Sequence, residues 1–440
     1  MSYSRTRTHQ ISKKRRFRKL LFVNVTLLAL IVVAGGLLAA QWSASGGVDG
    51  APGGRSEAPP ASAPAAGNAD EPSGSGNANG TPTDPGNAGD ASNGTPTGSD
   101  SDAPGTPDEP AGGPADTQDQ VTLAFVGDIL TASTVGSYMD KNGVDYPFEY
   151  AAASLQAADI TAGNLETPIT NREDPAENKT YVFRGKPEYL TGIKNAGFDV
   201  LSLANNHTLD HGWEGLSDTM DYLDDAELQH MGSGVDAEEA FTPVIIESHG
   251  IRVAYIGVTH VVPDGSWKAG ENHPGLADTY NTKPAVAAIQ SAKELADIIV
   301  VMVHWGNERE QQPEQAQFDV GHTFVDAGAD LVIGSHPHVL QGFEYYNGKW
   351  IAYSLGNFIF TTNGNSVTQQ TGVLKAACTK DGACGMNFEP MFAHNFQPSP
   401  MKPEEGALLL AELSDKSYGA KVDEKGDLIP VSAGGGKETP

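Results

Sequence analysis

The chain has 440 residues, enough for one large domain or two ordinary ones. Its formal net charge of −28 is unevenly distributed, because residues 1–42 carry +8, residues 43–119 carry −11 and residues 120–440 carry −25. A body this acidic repels other polyanions, so the composition argues against nucleic acid as a partner.

The N-terminus has the pattern of a membrane anchor. Residues 1–19 are basic and lack acids, and residues 20–41 are predominantly apolar over the length needed to cross a hydrocarbon core. Basic residues before such a segment favour a cytoplasmic N-terminus. The expected localisation is therefore the cell membrane, with a single transmembrane helix and an extracytoplasmic body. A cleaved signal peptide stays open as the alternative, because small residues surround position 40.

Residues 42–119 form a region of low complexity. They are rich in Gly, Ala, Pro, Ser, Asn, Thr and Asp and contain almost no aliphatic side chains. Such a segment cannot bury enough apolar surface to offset the entropy of ordering, so we predict a disordered linker. As a flexible coil it would span on the order of 50 Å, which suits a tether between membrane and domain.

Residues 120–413 alternate between strand-like and helical patterns. Short apolar runs predict strands at 121–126, 159–162, 198–203, 244–246, 252–258, 298–303, 331–333 and 350–354. Longer periodic segments predict helices at 150–158, 187–197, 213–226, 284–296 and 313–327. This alternation predicts an α/β layered domain. Hairpins from residue 372 would complete it, and residues 414–440 would form a C-terminal tail.

Polar side chains of a few types follow five of these strands. They are Asp128, then Asn164 and Glu166, then Asn206 and His207, then His304, and finally His336 and His338. A single His-x-His pair is as often two solvated loop histidines as a metal site. Strand-end loops are where α/β sheets place their chemistry, however, and imidazole and carboxylate are common metal ligands. The coincidence of five such ends favours a metal centre.

Six motifs in order carry a family resemblance. They are Gly127-Asp128, Gly163-Asn164-Leu165-Glu166, Ala204-Asn205-Asn206-His207, His304-Trp305-Gly306, Gly334-Ser335-His336-Pro337-His338 and Ser354-Leu355-Gly356-Asn357-Phe358. Over residues 121–360 the chain resembles the CapA family, which is linked to poly-γ-glutamate capsule synthesis and belongs to the calcineurin-like metallophosphoesterase superfamily. The resemblance implies a two-sheet α/β sandwich flanked by helices, with one or two divalent transition metals (manganese, iron or zinc) at the strand ends.

The resemblance also implies roles for the polar residues. His207 would be the proton donor to the leaving group, with Asp210 as the candidate that orients it. Two positions depart from the superfamily pattern: Leu130 stands where a metal-binding histidine is usual, and Thr208 where an acid is usual. The implied metal ligands are Asp128, Asn164 or Glu166, Asn206, His304, His336 and His338.

Taken together, these features predict a membrane-anchored, extracytoplasmic, metal-dependent hydrolase related to phosphoesterases. The resemblance places it in the handling of capsule or cell-envelope polymer. The expected partners are the membrane, an anionic capsule polymer and other capsule-synthesis membrane proteins. The alternative is a non-enzymatic, metal-containing component of a polymer export or retention complex.

The chain has two cysteines, Cys378 and Cys384, which flank a turn signal at Asp381-Gly382. In a hairpin they would face each other, and an extracytoplasmic location permits a disulfide. Two unpaired small residues are the alternative. A metal role is disfavoured, since no other cysteine exists to complete a thiolate site.

Overall fold

The computed structural model describes residues 120–431 apart from 178, 362, 363 and 365. The predicted basic segment, membrane anchor and linker (residues 1–119) lie outside the described residues, as do residues 432–440. Within the described part of the chain, no helix has both the length and the apolar character needed to cross a membrane.

The described residues alternate between strands and helices. The strands are β1 (Gln120–Ile129), β2 (Ile160–Leu165), β3 (Val200–Ser202), β4 (Gln229–Met231), β5 (Ser233–Gly234), β6 (Val244–Ser248), β7 (Ile251–Thr259), β8 (Gly275–Leu276), β9 (Ile298–His304), β10 (Leu331–Ser335), β11 (Phe343–Tyr346), β12 (Lys349–Ala352), β13 (Asn357–Ile359), β14 (Gln370–Thr379), β15 (Cys384–His394), β16 (Gln397–Pro400), β17 (Ala420–Val422) and β18 (Asp427–Pro430). The α-helices are α1 (Ser133–Asn142), α2 (Ala152–Gln156), α3 (Tyr189–Asn195), α4 (Gly212–Asp225), α5 (Ala237–Ala240), α6 (Lys283–Ala292), α7 (Gln315–Ala327), α8 (Ser366–Gln369) and α9 (Pro403–Lys416).

The strands form two large sheets. The larger has the order β17-β18-β15-β14-β1-β2-β3-β4, with β13 paired to β1 and β16 paired to β15. The smaller has the order β11-β12-β10-β9-β7-β6. β1 to β4 run parallel, as do β7, β9, β10 and β12, so the carboxyl ends of these strands share one edge of each sheet.

Each large sheet is buried on both faces, which explains why its central strands are almost continuously apolar. Alternate residues of β1, β7, β9 and β10 pack into one core between the two sheets, for example Leu123, Tyr255, Val300 and Leu331. The residues between them face helices on the outside, as Val301 does in the smaller sheet. The layers are therefore helix, sheet, sheet, helix, which is the predicted two-sheet α/β sandwich.

The predicted strands and helices of the body are present, with boundaries shifted by a few residues. Four helices were not predicted, namely α1, the one-turn helices α5 and α8, and α9. The predicted tail starting at 414 is corrected as far as 431: α9 continues to Lys416, and β17 and β18 then add to the larger sheet. Leu409, Leu413 and Leu428 of this region are buried in the central core, which is why it folds onto the domain.

The cysteine hairpin forms as the turn signal indicates. β14 and β15 pair antiparallel, with Cys378 opposite Cys384. The two cysteines are joined in a disulfide that closes the hairpin. Gly382, in the turn, has φ of 79°, a left-handed conformation that favours glycine.

Aspartates precede four of the parallel strands. Asp159, Asp199, Asp297 and Asp330 stand directly before β2, β3, β9 and β10. Each accepts a hydrogen bond from a backbone N–H of the neighbouring strand, at 2.8, 2.8, 2.9 and 2.8 Å respectively. These carboxylates satisfy amides at the amino-terminal edge of the sheets, opposite the edge where the candidate site lies.

Candidate metal centre

The carboxyl ends of the parallel strands bring the predicted polar residues together. In the larger sheet, Asp128 lies in register with Asn164 on one side and with Asn357 on the other. Gly127 makes this pairing possible, since a Cβ at that position would lie 1.9 Å from the carbonyl oxygen of Gly356. The sequence therefore places a carboxylate where three strands meet.

Two groups of side chains have the composition and spacing of a metal site. Glu166, His304 and His336 form one group, and Asp128, Glu166 and His338 form the other. Within each group the candidate ligand atoms lie within 4.8 Å of one another. Glu166 belongs to both groups, so its carboxylate is suited to bridge two ions.

The hydrogen bonding of these residues fits a bound metal. Glu166 Oε1 and His336 Nδ1 are buried and have no hydrogen-bond partner among the described residues. Glu166 Oε1 lies 3.9 Å from His304 Nε2 and 3.7 Å from His338 Nε2, too far for hydrogen bonds. Two ligands of one tetrahedral ion at ordinary bond lengths lie about 3.4 Å apart. A divalent cation would satisfy the atoms that the protein leaves unpaired.

The electrostatics favour the ligating form of the histidines. Burial holds the pKa of His304 well below its usual range and lowers the pKa of His336 to about 3, so both are neutral at pH 7. Burial and the charge of Asp128 raise the pKa of Glu166. Burial alone would also raise the pKa of Asp128, but the hydrogen bond and charge of His338 outweigh it and lower that pKa. The site holds neutral imidazoles and closely spaced carboxyls, an arrangement that a cation stabilises.

Asn205 fixes the orientation of Asn164. The Asn205 Oδ1 accepts hydrogen bonds from the backbone N–H of His207 and from the hydroxyl of Thr208, so its amide nitrogen points the other way. That nitrogen donates to the carbonyl of Leu165 and to Asn164 Oδ1, at 2.9 and 3.0 Å. The Asn164 oxygen therefore points toward Asn205.

Asn164 consequently presents its nitrogen to the centre. Asn164 Nδ2 donates to Asp128 Oδ1 at 2.8 Å and to Glu166 Oε2 at 3.2 Å. An amide nitrogen is not a metal ligand, so in this arrangement Asn164 orients two carboxylates, and a role for it as a metal ligand stays a prediction. Of the two candidates at this strand end, Glu166 has the ligand atom.

Asn357 orients the imidazole ring of His338. Its Nδ2 donates to the carbonyls of His338 and Thr368, which turns its Oδ1 toward His338 Nδ1 at 2.9 Å. Asp128 Oδ2 faces the same nitrogen at 3.1 Å. With two acceptors at Nδ1, the proton resides there, and Nε2 keeps the lone pair that a metal requires.

His304 is oriented from the strand next to it. Ser335 Oγ lies 3.0 Å from His304 Nδ1. His304 Nε2 lies 2.9 Å from Asn206 Oδ1, so the predicted amide ligand on the larger sheet meets the predicted imidazole ligand on the smaller one. The centre is thus assembled from both sheets.

The predicted proton donor and its orienting acid also meet. His207 Nδ1 lies 2.8 Å from Asp210 Oδ2, and Asp210 is fully buried. The backbone N–H of Phe183 donates to the same oxygen at 2.7 Å, and the Phe183 ring lies 4.6 Å from the imidazole. Lys179 contacts both His207 and Asp210. With Nδ1 engaged in this way, Nε2 is the nitrogen available for proton transfer.

The loop that carries the last two histidines has an unusual backbone. His336 has φ of 96° and His338 has φ of 57°, both in the left-handed region. Non-glycine residues there cost on the order of 1–3 kcal/mol each, and such strain concentrates at functional sites. Leu130, where the superfamily has a histidine, is buried in the domain and supplies no ligand.

Except for Asn164, the predicted metal ligands provide ligand atoms that converge on the centre: Asp128, Glu166, Asn206, His304, His336 and His338. Four contributors were not predicted from the sequence: Asn205, Ser335, Asn357 and Lys179. The first three lie inside the quoted motifs, so their proximity to the ligands was an available signal. Lys179 lies in a polar stretch without a motif, and its contact with Asp210 arises only from the tertiary structure.

Comparisons with known proteins agree with these motifs. The family model described as "Bacterial capsule synthesis protein PGA_cap" matches residues 122–362. The chain is 32% identical over 311 residues to "PGA biosynthesis protein CapA" of Bacillus subtilis (strain 168), covering 70% of this chain and 81% of the relative. It is 32% identical over 325 residues to "Capsule biosynthesis protein CapA" of Bacillus anthracis, covering 71% and 78%.

Among solved structures, the chain is similar to the 5'-nucleotidase from Candida albicans SC5314, with a TM-score of 0.34 and 10% identity, covering 61% of this chain and 51% of that one. The family match covers more than half of the chain and contains every candidate ligand. The protein therefore belongs to the bacterial capsule synthesis protein family PGA_cap.

Proposed function

We propose that this protein is a metal-dependent hydrolase that acts on a phosphoester or a related bond during the synthesis or handling of capsule or cell-envelope polymer. The observation that carries the proposal is Glu166, a buried carboxylate shared by two groups of candidate ligands, one of whose oxygens has no hydrogen-bond partner in the part of the chain that the structure describes. Structural carboxylates are normally satisfied, so this oxygen favours a functional metal site.

The residues of the centre divide the chemical work. Asp128, Glu166 and His338 would hold one ion, and Glu166, His304 and His336 the other, with Asn206 as a further oxygen ligand. A bound divalent metal supplies Lewis-acid polarisation of a phosphoryl or carbonyl oxygen and a source of hydroxide at neutral pH.

The leaving group would take its proton from His207 Nε2. Asp210 and its partners hold the imidazole ring in place, so the ring is already oriented for proton transfer. Phe183 packs on the ring and excludes water from one side.

The rival function is a non-enzymatic component that uses the same metals to bind carboxylates of an anionic polymer. The net charge of −25 over residues 120–440 matters for both functions, because an acidic surface repels a polyanion. Bound cations would then be the main attraction for it at the centre.

Turnover and binding assays separate the two. The body, residues 120–440, would be purified, analysed for metal and tested on p-nitrophenyl phosphate and bis-p-nitrophenyl phosphate with added manganese, zinc or iron. We expect at least one transition metal per chain and metal-dependent turnover. Binding of poly-γ-glutamate without turnover of any substrate would support the rival, and the absence of metal would contradict both.

We also propose that the body is held outside the cell by an uncleaved helix at residues 20–41. The basic residues before this apolar segment support the orientation. Protease added to intact cells should release the body by cutting within residues 46–118. Protection of the body in intact cells, with digestion in inverted vesicles, would contradict this orientation.

A further inference from the structure

A lysine from a different loop is part of the proton-donor group. Lys179 lies between β2 and α3, in a polar segment that reaches across to the loop after β3. Its Nζ contacts the backbone carbonyl of Asn206 at 2.5 Å, His207 Nδ1 at 3.0 Å and the carboxylate of Asp210. The Lys179 side chain is 13% exposed, so this is a buried contact and not a surface ion pair.

The contacts of Lys179 use at least two of its hydrogen-bond donors. A lysine ammonium has three N–H donors and no acceptor. The three polar neighbours of Nζ are all protein atoms of one segment, residues 206–210. The fourth neighbour is the ring of Trp267, with its centroid 5.2 Å away. Because Asp210 Oδ2 accepts the Nδ1 proton of His207, the hydrogen bonds that Lys179 donates go to the Asn206 carbonyl and the Asp210 carboxylate.

Asp210 needs a charged partner where it lies. It is fully buried, and a buried carboxylate without compensation is costly. Its two oxygens contact Lys179, His207 and the amide of Phe183. Its backbone carbonyl also accepts a hydrogen bond from the N–H of Ala176, at 2.7 Å. Lys179 is the cation that balances the charge of Asp210. The segment that carries Lys179 also binds Asp210 through the backbone N–H of Ala176.

The neighbours of His207 Nδ1 differ in kind. Asp210 can only accept a hydrogen bond there, and Lys179 can only donate one. One ring nitrogen cannot donate to the carboxylate and accept from the ammonium at the same time, so the hydrogen bond at Nδ1 goes to Asp210, and Lys179 acts on the imidazole through that carboxylate. Lys179 also holds the backbone carbonyl of Asn206, whose side chain reaches His304.

We propose that Lys179 is a positioning residue that acts through His207, holding the imidazole and Asp210 in the arrangement needed for proton transfer. The inference rests on the proposed function of His207, and it adds a residue that supplies neither a metal ligand nor a contact to substrate. Loss of Lys179 should slow the proton-transfer step and leave metal binding and substrate binding unchanged.

The kinetic test uses Lys179→Met, which keeps the length of the side chain and removes its charge and donors. Partners that orient a functional group are typically worth about 10–100-fold, so kcat for p-nitrophenyl phosphate should fall by that factor while KM and metal content stay constant. Lys179→Arg should recover part of the loss. The control is Lys268→Met, since Lys268 lies over the Tyr280 ring at 4.0 Å and pairs with Asp278.

A double-mutant cycle shows whether Lys179 acts through His207. In a His207→Ala background, Lys179→Met should have almost no further effect on kcat, because the group that it positions is gone. An equal loss in both backgrounds, or a rise in KM as the main effect, would overturn the proposal and indicate a direct contact with substrate.

A second measurement does not depend on activity. In metal-free protein, the ¹⁵N resonances of the His207 ring should shift in Lys179→Met and remain in place in Lys268→Met. If the wild-type protein turns over no substrate, the hydrolase function fails, and the resonances still test the positioning role. Unchanged His207 resonances in a folded Lys179→Met protein would overturn it.

Discussion

At the amino-terminal ends of the parallel strands, an aspartate accepts a hydrogen bond from one backbone amide, whereas at the carboxyl ends acids and imidazoles face one another. Asp330 represents the first edge: Oδ2 accepts from the amide of Ile299 at 2.8 Å, and Oδ1 pairs with Lys349 at 2.5 Å. Glu166 represents the second: it is fully buried, and its Oε1 has no hydrogen-bond partner among the described residues.

The difference teaches how to distinguish a structural acid from a functional one in this fold. Residue type does not separate them, since both edges use carboxylates that follow or precede apolar strands. Burial does not separate them either, because Asp330 is only 9% exposed. The difference lies in hydrogen bonding: each oxygen of Asp330 has a partner, whereas no described residue makes a hydrogen bond to Glu166 Oε1.

The largest effect on function is expected at His207. His207→Ala should lower kcat by about 10²–10⁴-fold, the usual contribution of acid–base catalysis, with metal content and folding nearly unchanged. Substrates with a leaving group of low pKa should lose less, because that group departs without a proton. Kinetics on a series of aryl phosphates would measure this, and full activity on the poorest leaving group would rule out the acid role.

Glu166→Gln tests the shared carboxylate. Since Glu166 belongs to both groups of ligands, the variant should lose metal affinity by at least about 100-fold, above the 10–100-fold typical of an outer partner. His336→Ala removes a ligand from one group and should affect one ion. Metal titration of chelator-treated protein would measure both affinities. Asp330→Asn, at the opposite edge, is the matched control and should bind metal like the wild type.

Asp330→Ala should lower the stability of the fold and leave metal binding unchanged. The variant leaves the amide of Ile299 and the ammonium of Lys349 without their partner, which should lower the free energy of unfolding by about 1–3 kcal/mol. Urea denaturation would measure this loss, and metal affinity of the folded variant should be unchanged. A loss of metal without a loss of stability would break the distinction between the two edges.

Asp159→Asn should have the smallest effect of these variants. It should lower the free energy of unfolding slightly, by an amount that depends on pH. Burial pushes the pKa of Asp159 up, but hydrogen bonds from Thr122 and the contact with His249 outweigh it, so the pKa lies below its unfolded value of about 3.9. The ionised group therefore stabilises the fold above that pH, and the contribution disappears as pH falls through the folded pKa.

Wild-type protein should exceed Asp159→Asn in stability by less than about 1 kcal/mol at pH 7, as for other partly exposed pairs. This difference in stability between the two proteins should narrow below a pH of about 4. Denaturation curves at pH 7, 5 and 3 would measure it, with the exposed Asp415→Asn as a control. A gap that widens on acidification would contradict the sign of the shift.

Local sequence patterns were sufficient for much of the fold. The apolar runs of β1, β7, β9 and β10 are strong because these strands are buried on both faces, and the predicted two-sheet sandwich follows from their alternation with helices. The helix α9 was missed because it follows a run of prolines and lies in a region interpreted as the approach to a tail. Its burial depends on contacts with the larger sheet, which no local pattern encodes.

By itself the sequence determined which residue types stand at the strand ends, and hence the chemistry of the site. A strand places its last residue at the sheet edge whatever its neighbours are, so Asp128, Glu166 and His304 were recognisable one at a time. Only the tertiary structure decided what each of them does. The side of Asn164 that faces the carboxylates depends on Asn205, and the presence of Lys179 beside Asp210 depends on a loop that returns across the sheet edge. Orientation and satisfaction are properties of groups distant in sequence, so they appear only when the chain has folded.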